Sequence, residues 1–523
     1  MTSPKSTKRN LNRTVIGIIS IALALVLVFI VSPLITRQMN GRTDIVRMKR
    51  NVQEGYIIEE DDLEIITVGA YNLPADIIKD KSKVTGKFAA CDLKAGESVI
   101  KYGMPIGHAT RDIAAGEHVH THNLATNLGE KTEYCYAGER PQKARTLDVR
   151  RETSFPAYRR ADGRIGIRNE IWVVPTVGCV NALCERLAAS CGGFALTHPY
   201  GCSQLGEDHE TTANLLAALC RHPNAGGVLV VGLGCENNTL DSFKARLGDV
   251  SNLNVRFLRA QDPGDEYETG LGLIRELEAS RVTARTEVSV SELVVGLKCG
   301  GSDGFSGLTA NPLVGRFSDW LVARGGSAVL TEVPEMFGAE TLLMDRCRDR
   351  ATFDRCVAMI NGFKDYYARH GQPCYENPSP GNKAGGITTL EDKSLGCVQK
   401  GGSSAVCDVL GYGERVKERG LSLLTGPGND LVSATVLAAA GCHLVLFTTG
   451  RGTPFGTVVP TVKVATNSDL AARKPHWIDW DAMANPDTES FARKVLAVAS
   501  GEPAANERQG ARGIAIFKDG VTL

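Results

Sequence analysis

Three sets of residues have the types and spacing to do chemistry. The first is the stretch Leu293-Val-Val-Gly-Leu-Lys-Cys-Gly-Gly-Ser-Asp-Gly-Phe-Ser-Gly307, an apolar run that breaks into a loop carrying Cys299, Ser302, Asp303 and Ser306. A buried strand ending in such a loop is where open α/β sheets place ligands, because bare backbone N–H groups can close on an anion. A tight turn between strand and helix is the plain alternative. The second set is His118-Val-His-Thr-His-Asn123. On a strand, His118, His120 and His122 would share a face at about 6.5–7 Å between neighbours, close enough for two imidazoles to reach one metal or to serve as acid and base. A solvated edge strand is the alternative there. The third set is a series of polar or glycine-rich loops, each after an apolar run: His198–Gln204, Gly232–Asn238, Thr331–Glu335, Thr425–Asp430 and Thr448–Pro454, with Asn377–Gly386 among them, a segment too rich in Pro and Gly for a helix or central strand.

These loops combine glycine with Lys, Arg, Asn, Ser and Asp, and aromatic residues make up only 6% of the chain. Such a pocket suits a small polyhydroxylated anion better than a flat aromatic ligand. Lys383 and Arg451 could hold a carboxylate, the arginine by its bidentate fork. Neither GxxxxGK[ST] nor a strand–GxGxxG–helix fingerprint occurs, so nucleotide binding has little support. A fitting reaction is removal of a proton α to a carboxylate, followed by loss of the β-hydroxyl. The doubly charged enolate then needs strong electrostatic stabilisation, most simply a divalent metal plus a cation.

The elements that must position these residues follow from the pattern. With 523 residues the chain is long enough for roughly three domains. Apolar content of 43% and charged content of 23% are those of a globular protein, and a net charge of +0 gives no argument for nucleic acid. Fifteen cysteines without a C-x-x-C pair read as reduced thiols, not as a disulfide framework. Val15–Ile35 is almost wholly apolar, and its 21 positions reach about 31 Å as a helix, enough for one membrane span. Residues 44–125 read as short strands and turns, with two half-repeats, Cys91-Asp-Leu-Lys-Ala-Gly-Glu97 and Arg111-Asp-Ile-Ala-Ala-Gly-Glu117. Residues 126–157 read as a linker. Strands then alternate with helices over 158–287 and 288–523, which predicts two α/β domains with largely parallel sheets.

Taken together, the motifs from about Val99 to Leu523 resemble the altronate/galactarate dehydratase family. The stretches that carry the resemblance include Ile100–Gly107, Gly116–Asn123, Pro175–Asn181, Tyr200–Gly206, Gly232–Asn238, Cys299–Gly304, Glu332–Gly338, Asn377–Gly386, Thr449–Pro454 and Ala515–Leu523. The resemblance implies dehydration of D-altronate to 2-dehydro-3-deoxy-D-gluconate with Fe²⁺ or Mn²⁺, and a small SAF (β-clip) domain ahead of two α/β parts; galactarate is the related substrate. At the front the chain departs from the family. Residues up to about 97 resemble membrane-anchored SAF proteins of pilus-assembly type, joined to the rest near residues 91–100.

The candidate catalytic residues are His118, His120, His122, His198, Cys202, Cys299 and Asp303, with His118, His120 and His122 also as metal ligands. Ser302, Asn377, Asn382, Lys383 and Arg451 are the candidate substrate ligands. An iron–sulfur cluster on some of Cys202, Cys235, Cys299 and Cys397 is a different way to run the same reaction. A membrane-tethered SAF binding protein with an inactive body is the reading from another class. The remaining expectations are a sugar-acid ligand, a homo-oligomer, and a single-pass anchor at 15–35 with the catalytic body on the cytoplasmic side.

Overall fold

The computed structural model describes residues 42–48, 63–69, 91–129, 132–136 and 153–520. Strands β1 (Arg42–Met48) and β2 (Leu63–Gly69) pair antiparallel as a ribbon of their own. Strands β3 (Ser98–Lys101), β4 (Met104–Ala109) and β5 (Leu124–Ala125) form a separate antiparallel sheet. The two half-repeats pair with each other about a local two-fold. Leu93 and Ile113 exchange N–H···O bonds of 2.8 Å in both directions. Asp112 accepts from the Ala95 N–H at 3.0 Å, and Asp92 accepts from the Ala115 N–H at 2.7 Å. The repeated glycines, Gly96 and Gly116, take φ of 87° and 89°, which is why that position of the repeat is glycine.

The histidine segment is not the expected strand. Asn123 closes it into a turn: its Oδ1 accepts from the His120 N–H at 2.9 Å, its Nδ2 donates to the His118 carbonyl at 2.8 Å, and its own N–H donates to the His120 carbonyl. The turn still gathers the rings, with the His118 centroid 5.5 Å from His120 and 5.8 Å from His122.

The second region opens with β6 (Ser154–Arg159) and β7 (Ile165–Gly166), then builds a parallel sheet from β8 (Glu170–Pro175), β9 (Phe194–Ala195), β10 (Ala225–Gly232) and β11 (Val255–Arg259) in the order β11-β10-β8-β9. Every residue of β10 is buried, as a strand covered on both faces requires. Ile171, Val173, Leu229 and Val231 face the helices Asn181–Ser190 and Glu266–Ala279, while Trp172, Val174, Val228 and Val230 face Gly206–Cys220 and share a core with Val436–Ala440 of the C-terminal region. Strand β12 (Thr286–Ser289) then returns to pair antiparallel with β6.

The C-terminal sheet holds β13 (Val294–Cys299), β14 (Ser327–Leu330), β15 (Val406–Leu410), β16 (Gly420–Leu424), β17 (Leu444–Thr449), β18 (Thr461–Ala465) and β19 (Trp480–Asp481), ordered β15-β16-β14-β13-β17-β18-β19. All its pairs are parallel. The chain builds from β13 to one side and then crosses to β17 on the other, so the carboxyl end of β13 lies at the switch point where such sheets open a crevice. Val99, Ile106, Ile113 and Leu124 of the N-terminal region belong to the same hydrophobic cluster as Val295, Leu297 and Leu446 of this sheet.

Two further expectations are corrected. Pro380–Ala384, in a segment read as too rich in Pro and Gly for a helix, is a short helix: Pro380 sits in its first turn, where no N–H is needed, and Ser379 and Asn382 cap it reciprocally. The helix Arg350–Arg369 has 20 residues but carries Arg350, Asp354, Arg355, Lys364, Asp365 and Arg369, and no helix among the described residues is long and apolar enough to cross a membrane. Neither the single-pass anchor nor the membrane-anchored location drawn from it has a helix to support it among the described residues; residues 15–35 themselves lie outside them.

Candidate active site

At the carboxyl edge of the C-terminal sheet, five segments bring charged and thiol groups together below the surface. Strand β13 delivers Lys298 and Cys299. The turn after β14 delivers Glu332, in a left-handed conformation (φ 71°) that a side chain other than glycine rarely adopts, and Glu335 follows in the 3₁₀ turn Val333–Met336. The helix Leu390–Cys397 brings Lys393 and Cys397, the turn Val398–Gly401 brings Lys400, and Asp430 starts the helix Asp430–Ala439.

Lys298 Nζ lies 2.6 Å from Glu332 Oε1 and 2.9 Å from Asp430 Oδ1, and it also donates to the Cys299 carbonyl. Glu332 Oε2 accepts from the Cys299 N–H at 2.9 Å and from Lys400 Nζ at 3.2 Å. Lys298, Lys400 and Glu332 are each at most 1% exposed, so three buried charges hold one another. A second group adjoins it. Glu335 Oε2 lies 3.3 Å from Cys299 Sγ and 3.2 Å from Cys397 Sγ, the two sulfurs are 3.3 Å apart, and Lys393 Nζ holds Glu335 Oε1 at 2.8 Å.

Burial alone would raise the Glu335 carboxyl, but the ammonium groups of Lys393, Lys400 and Lys298 outweigh it and hold the pKa down to about 2. Burial pushes the other way on the lysines, and it loses: carboxylate partners raise Lys298 and Lys393 above their usual range, and the neighbouring Cys299, Cys397 and Glu332 do the same for Lys400. The Cys397 thiol is raised by its hydrogen bond with Cys299 and then by burial. The edge therefore holds three ammonium groups in place in a low-dielectric setting, matched by the carboxylates of Glu332, Glu335 and Asp430.

The structure brings several sequence-derived candidates to this edge. Asn377 Nδ2 donates to Glu335 Oε1 at 3.3 Å, and Asn377 Oδ1 accepts from Lys393 at 3.0 Å. Asn382 Oδ1 accepts from Lys393 at 3.3 Å, and Asn382 Nδ2 donates to the Ser302 carbonyl. Ser302 is buried. Asp303 accepts from Thr466, Asn467, Ser306 and the Phe305 N–H; burial raises its pKa and these bonds oppose the rise. The histidine turn reaches the same wall through His120 Nε2, 3.2 Å from the Lys383 carbonyl, while Arg451 is exposed. The N-terminal region is latched to the site helix by Lys101–Asp392 at 2.8 Å and by Thr126 and the Asn127 N–H on Glu391. His198 and Cys202 sit elsewhere, at the edge of the second sheet. Both ring nitrogens of His198 are bonded to backbone, at Pro175 and Tyr200, and burial lowers its pKa.

Lys298, Glu332, Glu335, Lys393, Lys400 and Asp430 were not singled out as site residues from the sequence. A lysine in the apolar run before Cys299 was the available signal for Lys298. Nothing comparable marked Lys393, because Leu390-Glu-Asp-Lys-Ser-Leu-Gly-Cys397 reads as a solvated helix yet is buried throughout.

Fold and site together describe an α/β protein with a buried lattice of lysines, carboxylates and thiols at the switch point of a parallel sheet. Models of one family match three parts of the chain: the altronate/galactarate dehydratase SAF domain at residues 46–127, the second domain of D-galactarate dehydratase/altronate hydrolase at 157–280, and the D-galactarate/altronate dehydratase C-terminal part at 290–522. The first match begins at residue 46 and runs through the expected boundary near 91–100, so from residue 46 onward the front of the chain matches the family's own SAF domain and the expected departure is corrected. Altronate dehydratase of Bacillus subtilis (strain 168) is 53% identical over 474 residues, 87% of this chain and 95% of that one. Its counterpart from Escherichia coli (strain K12) is 54% identical over 459 residues, 84% and 92% of the two chains. Galactarate dehydratase (L-threo-forming) of E. coli K12 is 32% identical over 439 residues, 75% and 79%. The chain belongs to the D-galactarate/altronate dehydratase family.

Proposed function

We propose that this chain is a hydro-lyase that dehydrates D-altronate to 2-dehydro-3-deoxy-D-gluconate. The observation that carries the reading is the buried lattice of Lys298, Lys393 and Lys400 around Glu332 and Glu335 at the switch point of a parallel sheet. Altronate is favoured over galactarate because identity is 53–54% to the altronate dehydratases and 32% to the galactarate enzyme.

In this reading the lysine cations stabilise the enolate formed when the α-proton leaves. Ser302, Asn377, Asn382, Lys383 and Arg451 hold the carboxylate and hydroxyls, and Asp303 keeps the 302–306 loop in place. His118, His120 and His122 move the proton at the α-carbon or at the leaving hydroxyl. His198 has no part in proton transfer, since its nitrogens are already engaged by backbone.

A divalent ion fits Cys299, Glu335 and Cys397, whose three donor atoms lie within 4.8 Å of one another. Two thiols and a carboxylate suit Fe²⁺ better than the harder Mn²⁺. Bound there, the ion would act as a Lewis acid toward the substrate carboxylate. The donor atoms of His118, His120 and His122 do not gather to that distance, so the expectation that these three ligate the metal gives way to the thiol–carboxylate set. Incubating purified protein with D-altronate and Fe²⁺ should give the 2-keto-3-deoxy acid, and His118→Ala, His120→Ala or His122→Ala should slow it by roughly 10²–10⁴-fold. No product from metal-loaded protein would refute the reading.

A further inference from the structure

The second sheet carries chemistry that the altronate reading does not use. Strands β9, β8 and β10 are adjacent and parallel, so the loops after them emerge at one edge. Each loop carries a Gly-Cys pair: Gly178-Cys179, Gly201-Cys202 and Gly234-Cys235. Cysteine is among the residues most often fully buried, yet all three are exposed and unpaired, three of the five exposed cysteines among the described residues.

The three loops are bound to one another backbone to backbone. The Gly178 N–H donates to the Tyr200 carbonyl at 2.8 Å, and the Asn238 N–H donates to the Gly201 carbonyl at 3.0 Å. Asn238 Nδ2 reaches the Thr176 carbonyl at 3.1 Å, and Asn237 Oδ1 accepts from the Ser203 N–H at 2.8 Å. Glu236 ties the third loop to the first, accepting from Thr176 Oγ1 at 2.8 Å and from the N–H groups of Leu233 and Gly234. The approach is so close that a Cβ on Gly201 would lie 2.0 Å from the Thr176 carbonyl oxygen. Gly178 and Gly201 thus let the first two loops close on each other, Gly234 leaves room for Gln261, and the cysteine after each glycine is exposed.

We propose that Cys179, Cys202 and Cys235 form a three-thiolate site for a four-iron, four-sulfide cluster. The site is separate from the lysine lattice, and the proposal does not depend on the altronate reading. A single thiolate-bound ion draws sulfurs to about 3.8 Å of one another, from a metal–sulfur distance of about 2.3 Å. These three thiols do not gather that tightly: the Cys299–Glu335–Cys397 group is the set among the described residues whose donor atoms all lie within 4.8 Å. A cluster several ångströms across spans the wider spacing. Gln261 Nε2, 3.5 Å from Cys235 Sγ, supplies a donor of the kind that tunes cluster sulfurs. Three protein thiolates leave one iron to an outside ligand such as a carboxylate or hydroxyl oxygen. Loading from a preformed thiolate-ligated cluster is a ligand exchange: each protein thiol gives its proton to a departing small thiolate and takes its place on iron, with no change of oxidation state.

The test is to mix the full chain anaerobically with a synthetic four-iron, four-sulfide cluster ligated by a small thiolate, desalt it, and measure iron and acid-labile sulfide. About four of each should stay with the protein. Cys179→Ser, Cys202→Ser and Cys235→Ser should each lower retained sulfide by about tenfold or more, and Cys299→Ser and Cys91→Ser should retain it. Circular dichroism identical to that of the parent chain identifies the variants in which the loss is local. No retained sulfide in the parent chain, retention by the Cys179/Cys202/Cys235 triple serine variant, or iron bound without sulfide would overturn the proposal.

Discussion

Two parallel sheets in this chain gather cysteines at the carboxyl edges of their strands, and they finish those edges in different ways. At the C-terminal sheet, Cys299 and Cys397 are buried and wrapped by three lysines and their carboxylate partners. At the second sheet, Cys179, Cys202 and Cys235 are exposed, and the loops are held by backbone hydrogen bonds, the Asn237 and Asn238 side chains and one carboxylate, Glu236. Cysteines at a sheet edge thus stand in two different settings, and burial and neighbouring charge set them apart. One edge stores fixed electrostatic potential; the other presents soft ligands.

The sharpest way to break the first edge is to remove one of its cations. Lys298→Met takes away the partner of Glu332 Oε1 and leaves the buried Glu332 with Lys400 alone as a cation; breaking a buried ion pair in this way costs about 3–5 kcal/mol. The urea midpoint should fall accordingly, and a shift of under a tenth of that would show the pair to be dispensable.

The second edge depends on approach, not charge. Gly201→Ala, at φ 99° and against the Thr176 carbonyl, should cost about 2–3 kcal/mol and speed thiol modification at Cys179 and Cys202. Gly103→Ala, with φ 76° and no atom within 4 Å, should cost only about 1 kcal/mol. Equal losses of thermal stability in the two variants would remove close packing as the explanation.

The smallest expected effect is a pH shift. Glu335 is depressed from its usual 4.5 to about 2, so its stabilising contribution is present above about pH 4.5 and is lost as pH falls through about 2. Lys393→Gln removes one of the cations responsible, so the Glu335 pKa rises and the acid loss of stability begins at higher pH. Denaturation midpoints measured from pH 6 down to 2 should show the acid limb displaced upward relative to the parent, and superimposable limbs would argue against the assignment.

Much of the architecture was legible because strands and loops alternate in hydrophobicity: the apolar run before Cys299 became β13, and that before Gly232 became β10. The half-repeats were visible as sequence, but that they pair with each other through Asp92 and Asp112 depends on folding across about twenty residues. The histidines were legible as a group, whereas their turn is set by the Asn123 side chain, which periodicity does not register. The lattice was the least legible part. Lys393, Lys400 and Glu335 have the composition of a surface, and only tertiary packing buries them against one another.

The most direct test of the central claim, dehydration at the lysine lattice, is turnover of D-altronate by metal-loaded Lys393→Gln beside the parent chain and the exposed control Lys417→Gln. Formation of 2-dehydro-3-deoxy-D-gluconate should proceed in the parent and the control and fall by about 10²-fold or more in kcat for Lys393→Gln, with circular dichroism unchanged. A folded Lys393→Gln that turns over D-altronate at the parental rate would contradict it.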